Sequence, residues 1–398
     1  MTASNNKWLL PDGVEELLPD QAQHVEQFRR RVLDVFNANG YQLVQPPLLE
    51  FLDSLLTGAG HDLDLLTFKV TDQHTGRMMG IRADMTPQLS RIDAHVLNQH
   101  GPTRLCYAGP VLQTAHRSGF HSREPMQIGA ELFGCSDLQS DVEIIRLCAE
   151  VLNSLELCKL RFDLGHVGIF NALISQAQLD NTQAHQLLTI CQQKSWPDMT
   201  EFIHDQEIDS EMATLFTGLL DLEGPPEDVF SRARDLFKNT NASVQDQFNQ
   251  FNDLIKLISE YLPDLSLSVD FLELRGINYH TGAVFSVYCD AYANAIAKGG
   301  RYDDVGRAFG RARQATGFSA DLRQAINFSD YTSNNSNGII YAPFDCDPSL
   351  RQIVNELKHR GEVVVIEFEN EEYSDNARQL VKHDGHWIVR KKGNSYGE

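Results

Sequence analysis

The stretch Met126–Phe133, reading Met-Gln-Ile-Gly-Ala-Glu-Leu-Phe, constrains this chain more than any other. In an extended strand, residues four apart return to the same face, so Gln127 and Glu131 point into one space. An amide and a carboxylate aimed together into an apolar-lined sheet face are costly unless they serve a ligand or each other. A solvent-facing strand edge is the alternative. Ile128 and Leu132–Phe133 argue against it, because they describe a packed sheet.

Composition narrows the class. At 398 residues the chain is long enough for a large core and one small satellite domain. Its 42% hydrophobic and 22% charged content suits a soluble globular protein. The net charge is −21, from 55 acids against 34 Lys and Arg, which repels phosphate backbones and offers no basic stripe for nucleic acid. Seven cysteines without a C-x-x-C pair read as reduced thiols, with neither a disulfide frame nor a zinc site. Met1–Leu10 lacks a charged-then-apolar signal pattern, and no apolar run reaches the ~18 residues of a membrane span. A cytoplasmic protein without cofactor or metal is expected.

Along the chain, Asp20 is placed to cap a helix running to about Asn39, with Val25, Phe28, Val32 and Phe36 on one face and Gly40 as the stop. Tyr41–Val44 reads as a strand ended by Pro46 and Pro47. Leu65–Val70 and Arg77–Arg82 are strand candidates around a turn at Asp72–Gly76, followed by Arg104–Tyr107. Leu138–Leu155 is helical, and Leu160, Phe162 and Leu164 alternate as a strand. From Ile169 to Tyr261 the character is polar, helical and Gln-rich. Strands resume at Leu267–Leu274 and Gly282–Tyr288, and Ser329–Asn337 is a polar linker. Ile339–Tyr341, a helix over Ser349–His359, Val363–Phe368 and Trp387–Val389 describe a small α/β appendix.

Four separated segments resemble histidyl-tRNA synthetases. The helix, strand and proline at 20–47 resemble motif 1 of class II synthetases, the dimer interface of that family. Leu105–Gly134 resembles motif 2 and keeps the amino-acid-reading pair Gln127 and Glu131. Ile81-Arg82-Ala83-Asp84-Met85-Thr86 stands where the family has Leu-Arg-Pro-Glu-x-Thr, so Asp84 inherits the substrate-ammonium role on a shorter side chain, with Thr86 beside it. Arg275-Gly276-Ile277-Asn278-Tyr279-His280 resembles the histidine-specific signature Arg-Gly-Leu-Asp-Tyr-Tyr, closed by Val284-Phe285. By position, Arg275 takes the carboxylate side and Tyr279 the imidazole. Asn278 and His280 replace an aspartate and a tyrosine, leaving the imidazole end open. Asp84, Thr86, Gln127, Glu131, Arg275, Tyr279 and His280 form the expected histidine pocket.

The resemblance breaks where ATP is handled. Motif 2 usually carries Phe-Arg-x-Glu after its strand; here the place reads Leu112-Gln113-Thr114-Ala115. Gln113 lacks the charge that meets the α-phosphate, and Ala115 lacks the carboxylate that orients the nucleotide. Loss of one such donor typically costs ~2.7–4 kcal/mol of transition-state stabilisation. His121 replaces a second basic position, though Arg123 remains. Lys298-Gly299-Gly300-Arg301-Tyr302-Asp303 keeps the motif 3 entry. The segment Gly317–Gln324, expected to be the motif 3 helix, places Gln324 at the adenine-stacking arginine and Arg323 at a glutamate, unless the register shifts by one.

The implied fold is α+β: a class II synthetase-like antiparallel sheet flanked by helices, with core segments 1–168 and 263–329, a helical insertion over 169–262, and a small α/β unit over 330–398 similar to a truncated anticodon domain. A synthetase core without working motifs resembles the family of ATP phosphoribosyltransferase regulatory subunits. That resemblance implies no catalytic residues and a role in the first step of histidine biosynthesis. It also implies a short-form catalytic partner in a hetero-octamer of four plus four, self-association as a dimer, histidine as effector, and no stable tRNA binding. A histidyl-tRNA synthetase-like ligase and an uncharged-tRNA sensor stay open as alternatives. The neutral Gln113 and Ala115 make the first test direct. Pure protein should give no histidine-dependent ATP–pyrophosphate exchange above background, and exchange well above background would restore the synthetase reading.

Overall fold

The computed structural model describes residues 8–58, 61–115, 122–157, 159–274, 279–303, 305–329, 338–368, 373 and 376–391. Packing divides the chain into two units, 1–330 and 331–398. The first is built on a nine-stranded sheet. Its spatial order is Gln42–Leu43, Thr103–Pro110, Met126–Phe133, Ala315–Asp321, Tyr292–Arg301, Ala283–Cys289, Leu160–His166, Ser266–Asp270 and Glu223–Gly224. Neighbours are antiparallel except the first pair and the pair Leu160–His166 with Ser266–Asp270.

Period two sorts the central strands into two faces. Ala130 lies opposite Phe318, and Phe318 meets Phe36 of the helix Pro19–Ala38 at 6.2 Å between ring centroids. That helix and Leu138–Ser154 pack together, and Leu138–Ser154 also packs on Ala315–Asp321. Glu131 lies opposite Gly317 and points the other way, where Met85, Leu89, Leu105, Tyr107, Phe133 and Tyr302 form one buried cluster. Residues 86–97 close this face: Thr86–Arg91 is an α-helix that continues as a π-helix over Ile92–Leu97. Such widened turns are frequent at functional sites.

Several sequence expectations are corrected. Leu18, not Asp20, is the N-cap of the first helix; Pro19 starts it, since its fixed φ suits the first turn, and Asp20 sits inside that turn. Gly40 does end it, with φ +78°, which a side chain would strain. The stripe Val25, Phe28, Val32 and Phe36 is buried within this chain, so it is not the surface a second copy would cover. Leu65–Val70 divides into a helix, His61–Leu66, and a strand, Phe68–Thr71. The strand expected over Leu267–Leu274 stops at Asp270, whose carboxylate accepts from Leu272 N at 2.8 Å and turns the chain. Gly317–Gln324 is not a helix. Ala315–Asp321 is a central strand, and only Leu322–Ala325 is helical, with Asp321 accepting from Arg323 N at 3.0 Å.

Between Val167 and Tyr261 lie six helices, four of them capped by the side chains of Asp180, Ser195, Asp209 and Asn241. Phe230, Phe237, Phe248 and Phe251 surround Phe271, with centroid distances of 5.5–6.4 Å to it. This cluster fastens the helices to the core sheet. In the second unit, Val364–Ile366, Ile340–Ala342, Arg378–His383 and His386–Lys391 form a sheet in that order, beside the helix Pro348–His359. Arg378–His383, reading Arg-Gln-Leu-Val-Lys-His, is too polar to stand out as a strand, yet Leu380 is core. Among the described residues, no helix is long and apolar enough to cross a membrane.

Arg313 locks the π-helix to the sheet. It bonds Asp93 Oδ1 at 2.9 Å and Oδ2 at 3.1 Å, and reaches the Gln99 carbonyl at 3.0 Å. Both side chains are buried, at 8% and 2% exposure, so removing one leaves the other charge uncompensated. Asp93→Ala is therefore expected to cost about 3–5 kcal/mol in urea unfolding. Glu26→Ala, which breaks an exposed pair with Arg30, should cost under about 1 kcal/mol.

Candidate functional site

Gln127 and Glu131 both face the turn that carries Asp84 and Thr86. Gln127 Oε1 accepts from Met85 N at 2.9 Å, and its Nε2 donates to Asp84 Oδ1 at 2.8 Å. Asp84 Oδ1 also accepts from Thr86 N at 2.9 Å. Glu131 Oε1 accepts from Thr86 Oγ1 at 3.0 Å and from Tyr107 Oη at 3.3 Å, while Tyr302 Oη donates to Oε2. The two strand residues thus serve a shared polar network, and a ligand entering here must exchange with hydroxyls already in place.

Glu131 is 1% exposed. Burial pushes its carboxyl up to about 8, against the hydrogen bonds from Tyr302, Thr86 and Tyr107, with the Asp84 charge adding to the rise. Burial likewise drives the hydroxyls of Tyr107 and Tyr302 far above their usual value, so they stay protonated as donors. Room for the carboxylate comes from the partner strand, because a Cβ on Gly317 would overlap Glu131.

Of the histidine-specific segment, Arg275, Gly276, Ile277 and Asn278 lie outside the described residues. Tyr279 stands in the site. Its ring lies 4.9 Å from Tyr302 and 5.6 Å from His280, centroid to centroid. The Tyr279 hydroxyl is buried without a hydrogen bond of normal geometry; the Ser90 hydroxyl beside it donates to the Thr86 carbonyl at 3.2 Å. An unsatisfied buried hydroxyl is costly unless a partner meets it. Asp84, Thr86, Gln127, Glu131 and Tyr279 therefore converge, and His280 touches the group through Tyr279.

The positions that the resemblance assigns to ATP have partners within the chain. Gln113 Nε2 donates to the Ala83 carbonyl at 3.2 Å, bracing the Arg82–Asp84 turn. Its backbone pairs with Arg123 through Gln113 N to Arg123 O at 2.8 Å and Arg123 Nε to Gln113 O at 3.1 Å. Ala115 is exposed, and His121 lies outside the described residues. Gln324 Nε2 donates to Tyr292 Oη at 2.5 Å, and Arg323 donates to the Glu124 carbonyl at 3.0 Å. Arg82 clamps the turn to its neighbours, with bonds of 2.9 and 2.8 Å to the Pro110 carbonyl and 2.6 Å to the Pro46 carbonyl.

Two site residues escape sequence reasoning, Tyr107 and Tyr302. Tyr107 ends the strand candidate Arg104–Tyr107 and Tyr302 stands in the motif 3 entry, and neither hydroxyl was given a role. The available signal was phase: Tyr107 keeps step with Leu105 on the strand paired to Glu131, and Tyr302 follows Gly-Gly-Arg at a strand end.

This framework matches known proteins. Residues 13–325 match the family model "Histidyl-tRNA synthetase", and 337–390 match "ATP phosphoribosyltransferase subunit HisZ C-terminal domain". A protein of Methylococcus capsulatus named ATP phosphoribosyltransferase regulatory subunit is 47% identical over 91% of this chain and 89% of its own. One so named from Pseudomonas syringae pv. syringae is 43% identical over 97% and 98%. In fold, the chain is similar to an ATP phosphoribosyltransferase regulatory subunit/histidyl-tRNA synthetase from Bacillus halodurans, with TM-score 0.83 and 22% identity over 95% of this chain and 98% of that one. Histidyl-tRNA synthetase from Nostoc sp. PCC 7120 gives TM-score 0.80 at 15% identity over 96% and 97%. The fold is thus the α+β class II synthetase fold, and the chain belongs to the ATP phosphoribosyltransferase regulatory subunit family.

Proposed function

We propose that this chain is a non-catalytic regulatory subunit that senses free histidine. It docks on a short-form ATP phosphoribosyltransferase, raises its turnover and makes it sensitive to histidine, at the first step of histidine biosynthesis in the cytoplasm. The observation that carries this reading is the contrast around residues 82–86. On one side Asp84, Thr86, Gln127 and Glu131 keep the acceptors for a histidine ammonium and imidazole. On the other, Gln113 stands without charge at the phosphate position and is tied to Ala83. The family's hetero-octamer of four plus four and its dimeric core are proposed with it. The net charge of −21 supports weak tRNA binding. For the dimer, the exposed Leu43, Leu48 and Leu49 beside the edge strand are better placed than the buried first-helix stripe.

In the seated complex the ammonium meets Asp84, Thr86 and Gln127, the carboxylate approaches Arg275, and the imidazole lies near Glu131 and Tyr279. The test mixes the chain with a short-form catalytic subunit and follows turnover against histidine. Activation and inhibition should both appear, with coupling on the scale of about five- to 150-fold in a binding equilibrium. Glu131→Ala should keep activation and lose inhibition. Intact histidine inhibition in that variant would move the sensor to the catalytic chain. By calorimetry at pH 9, where the Glu131 carboxyl is ionised, Glu131→Ala should weaken histidine binding about ten- to a hundredfold, the scale of one charge-assisted hydrogen bond. Unchanged affinity in both Glu131→Ala and Arg275→Ala would remove the pocket assignment.

Linkage separates a ligand group from a structural one. The Glu131 carboxyl is raised from 4.5 to about 8 in the fold. Its protonated form is favoured by folding, so that stability is fully present below about pH 4.5 and is lost as pH climbs through about 8. Glu131→Gln, uncharged and of the same shape, should therefore raise the melting temperature at pH 9, barely change it at pH 5, and still weaken histidine binding. Destabilisation at both pH values would make Glu131 a structural acceptor.

A further inference from the structure

A second polar cavity, of about 610 Å³, opens between the sheet and the helix Ala242–Tyr261. It is separate from the histidine pocket. Consecutive residues of the strand end divide the two: Tyr302 bonds Glu131, whereas Arg301 turns to Asp141 at the start of Leu138–Ser154 and lines the cavity. The volume falls in the range of small-molecule sites.

Its wall is built, not incidental. His166, 5% exposed, lines it from the end of Leu160–His166, and the ring Nδ1 is buried with no hydrogen-bond partner. Asp141, 4% exposed, gives Oδ2 to Arg301 at 2.9 Å and leaves Oδ1 without a hydrogen bond, the Thr316 hydroxyl lying near it. A buried ring nitrogen left without a partner, on a wall shared with the Asp141 carboxylate, calls for an explanation such as a bound partner.

The electrostatics select the partner's sign. Asp137, Asp141 and Asp303 face the cavity against one guanidinium, Arg301. That guanidinium is already engaged by Asp141, Asp303 at 3.3 Å, the Cys135 carbonyl at 3.1 Å and Ser140 Oγ at 2.8 Å, so it offers little to an anion. His166 is held neutral, its imidazole lowered to about 4 by burial and by the Arg301 charge, and does not repel a cation. Gln247 and Gln250 add amides from the helix side. Among the described residues no group of three or more His, Cys, Asp or Glu is arranged to hold a metal ion, which favours an organic cation. We propose that this cavity binds a small organic cation carrying a primary ammonium or guanidinium group, which donates to Asp141 and Asp303 and packs against His166.

The test titrates agmatine and putrescine into the full-length protein by calorimetry, following the His166 imidazole by NMR, with glycerol and inorganic phosphate as neutral and anionic controls. Saturable binding of at least one amine is expected, with a shift of the His166 signals and no comparable binding of the controls. Asp141→Asn should weaken it about ten- to a hundredfold. That substitution also disturbs Arg301, so Gln250→Trp, at an exposed position, serves as the variant that fills the cavity without touching the ion pair. It should abolish binding in a folded protein, whereas Glu131→Ala should leave it. No binding of either amine at millimolar concentration, binding unchanged in Gln250→Trp, or equal binding of glycerol or phosphate would each overturn the proposal.

Discussion

The buried carboxylate of Glu131 organises the face of the sheet on which the site lies. Its three hydroxyl donors come from three distant parts of the chain: Thr86 at a helix start, Tyr107 on the neighbouring strand, and Tyr302 at a strand end. A fully desolvated carboxylate tolerates such a place only when donors surround it. The partner strand must also have no side chain opposite, which Gly317 provides. Register, turn and network therefore depend on one another. Moving the pairing of the central strands by one residue would carry Glu131 to the face packed by Phe36 and Phe318.

The two sides of that sheet handle charge differently. Around Glu131 the donors are neutral hydroxyls, so among the described residues no cation offsets its burial and its proton affinity is high. Behind it, Asp141 faces Arg301 directly and the charges are matched in a salt bridge. The first arrangement is expensive to keep; the second offsets part of its burial cost with an ion pair on the wall of the second cavity.

Much of this was legible in the chain, and the exceptions have physical causes. Period two placed Gln127 and Glu131 on one face, and the heptad-like spacing of Val25, Phe28, Val32 and Phe36 marked a helix with one buried side. What that side packs against was not written in its own residues, because a stripe reads the same under a neighbouring sheet as under a second copy. Gly317–Gln324 was read as a helix from its place in motif 3; Gly, Ser, Ala and Asp carry little strand signal there, and the fate of Ala315–Asp321 is decided by pairing on both edges. Pro19 outranked Asp20 at the helix start because backbone geometry acts before a side-chain cap. Tyr107 and Tyr302 were hidden by chemistry: a tyrosine in a core looks apolar until its hydroxyl finds a carboxylate.

Gln113 shows how a neutral side chain becomes hard to replace. Its amide holds the Ala83 carbonyl, and Arg123 secures the same residue through its backbone. An arginine at that position would add charge but would have to displace the bond that steadies the turn carrying Asp84 and Thr86. The contact works as a ratchet: once the turn that carries Asp84 and Thr86 leans on the neutral residue, a charge brought to position 113 is gained only at the turn's expense.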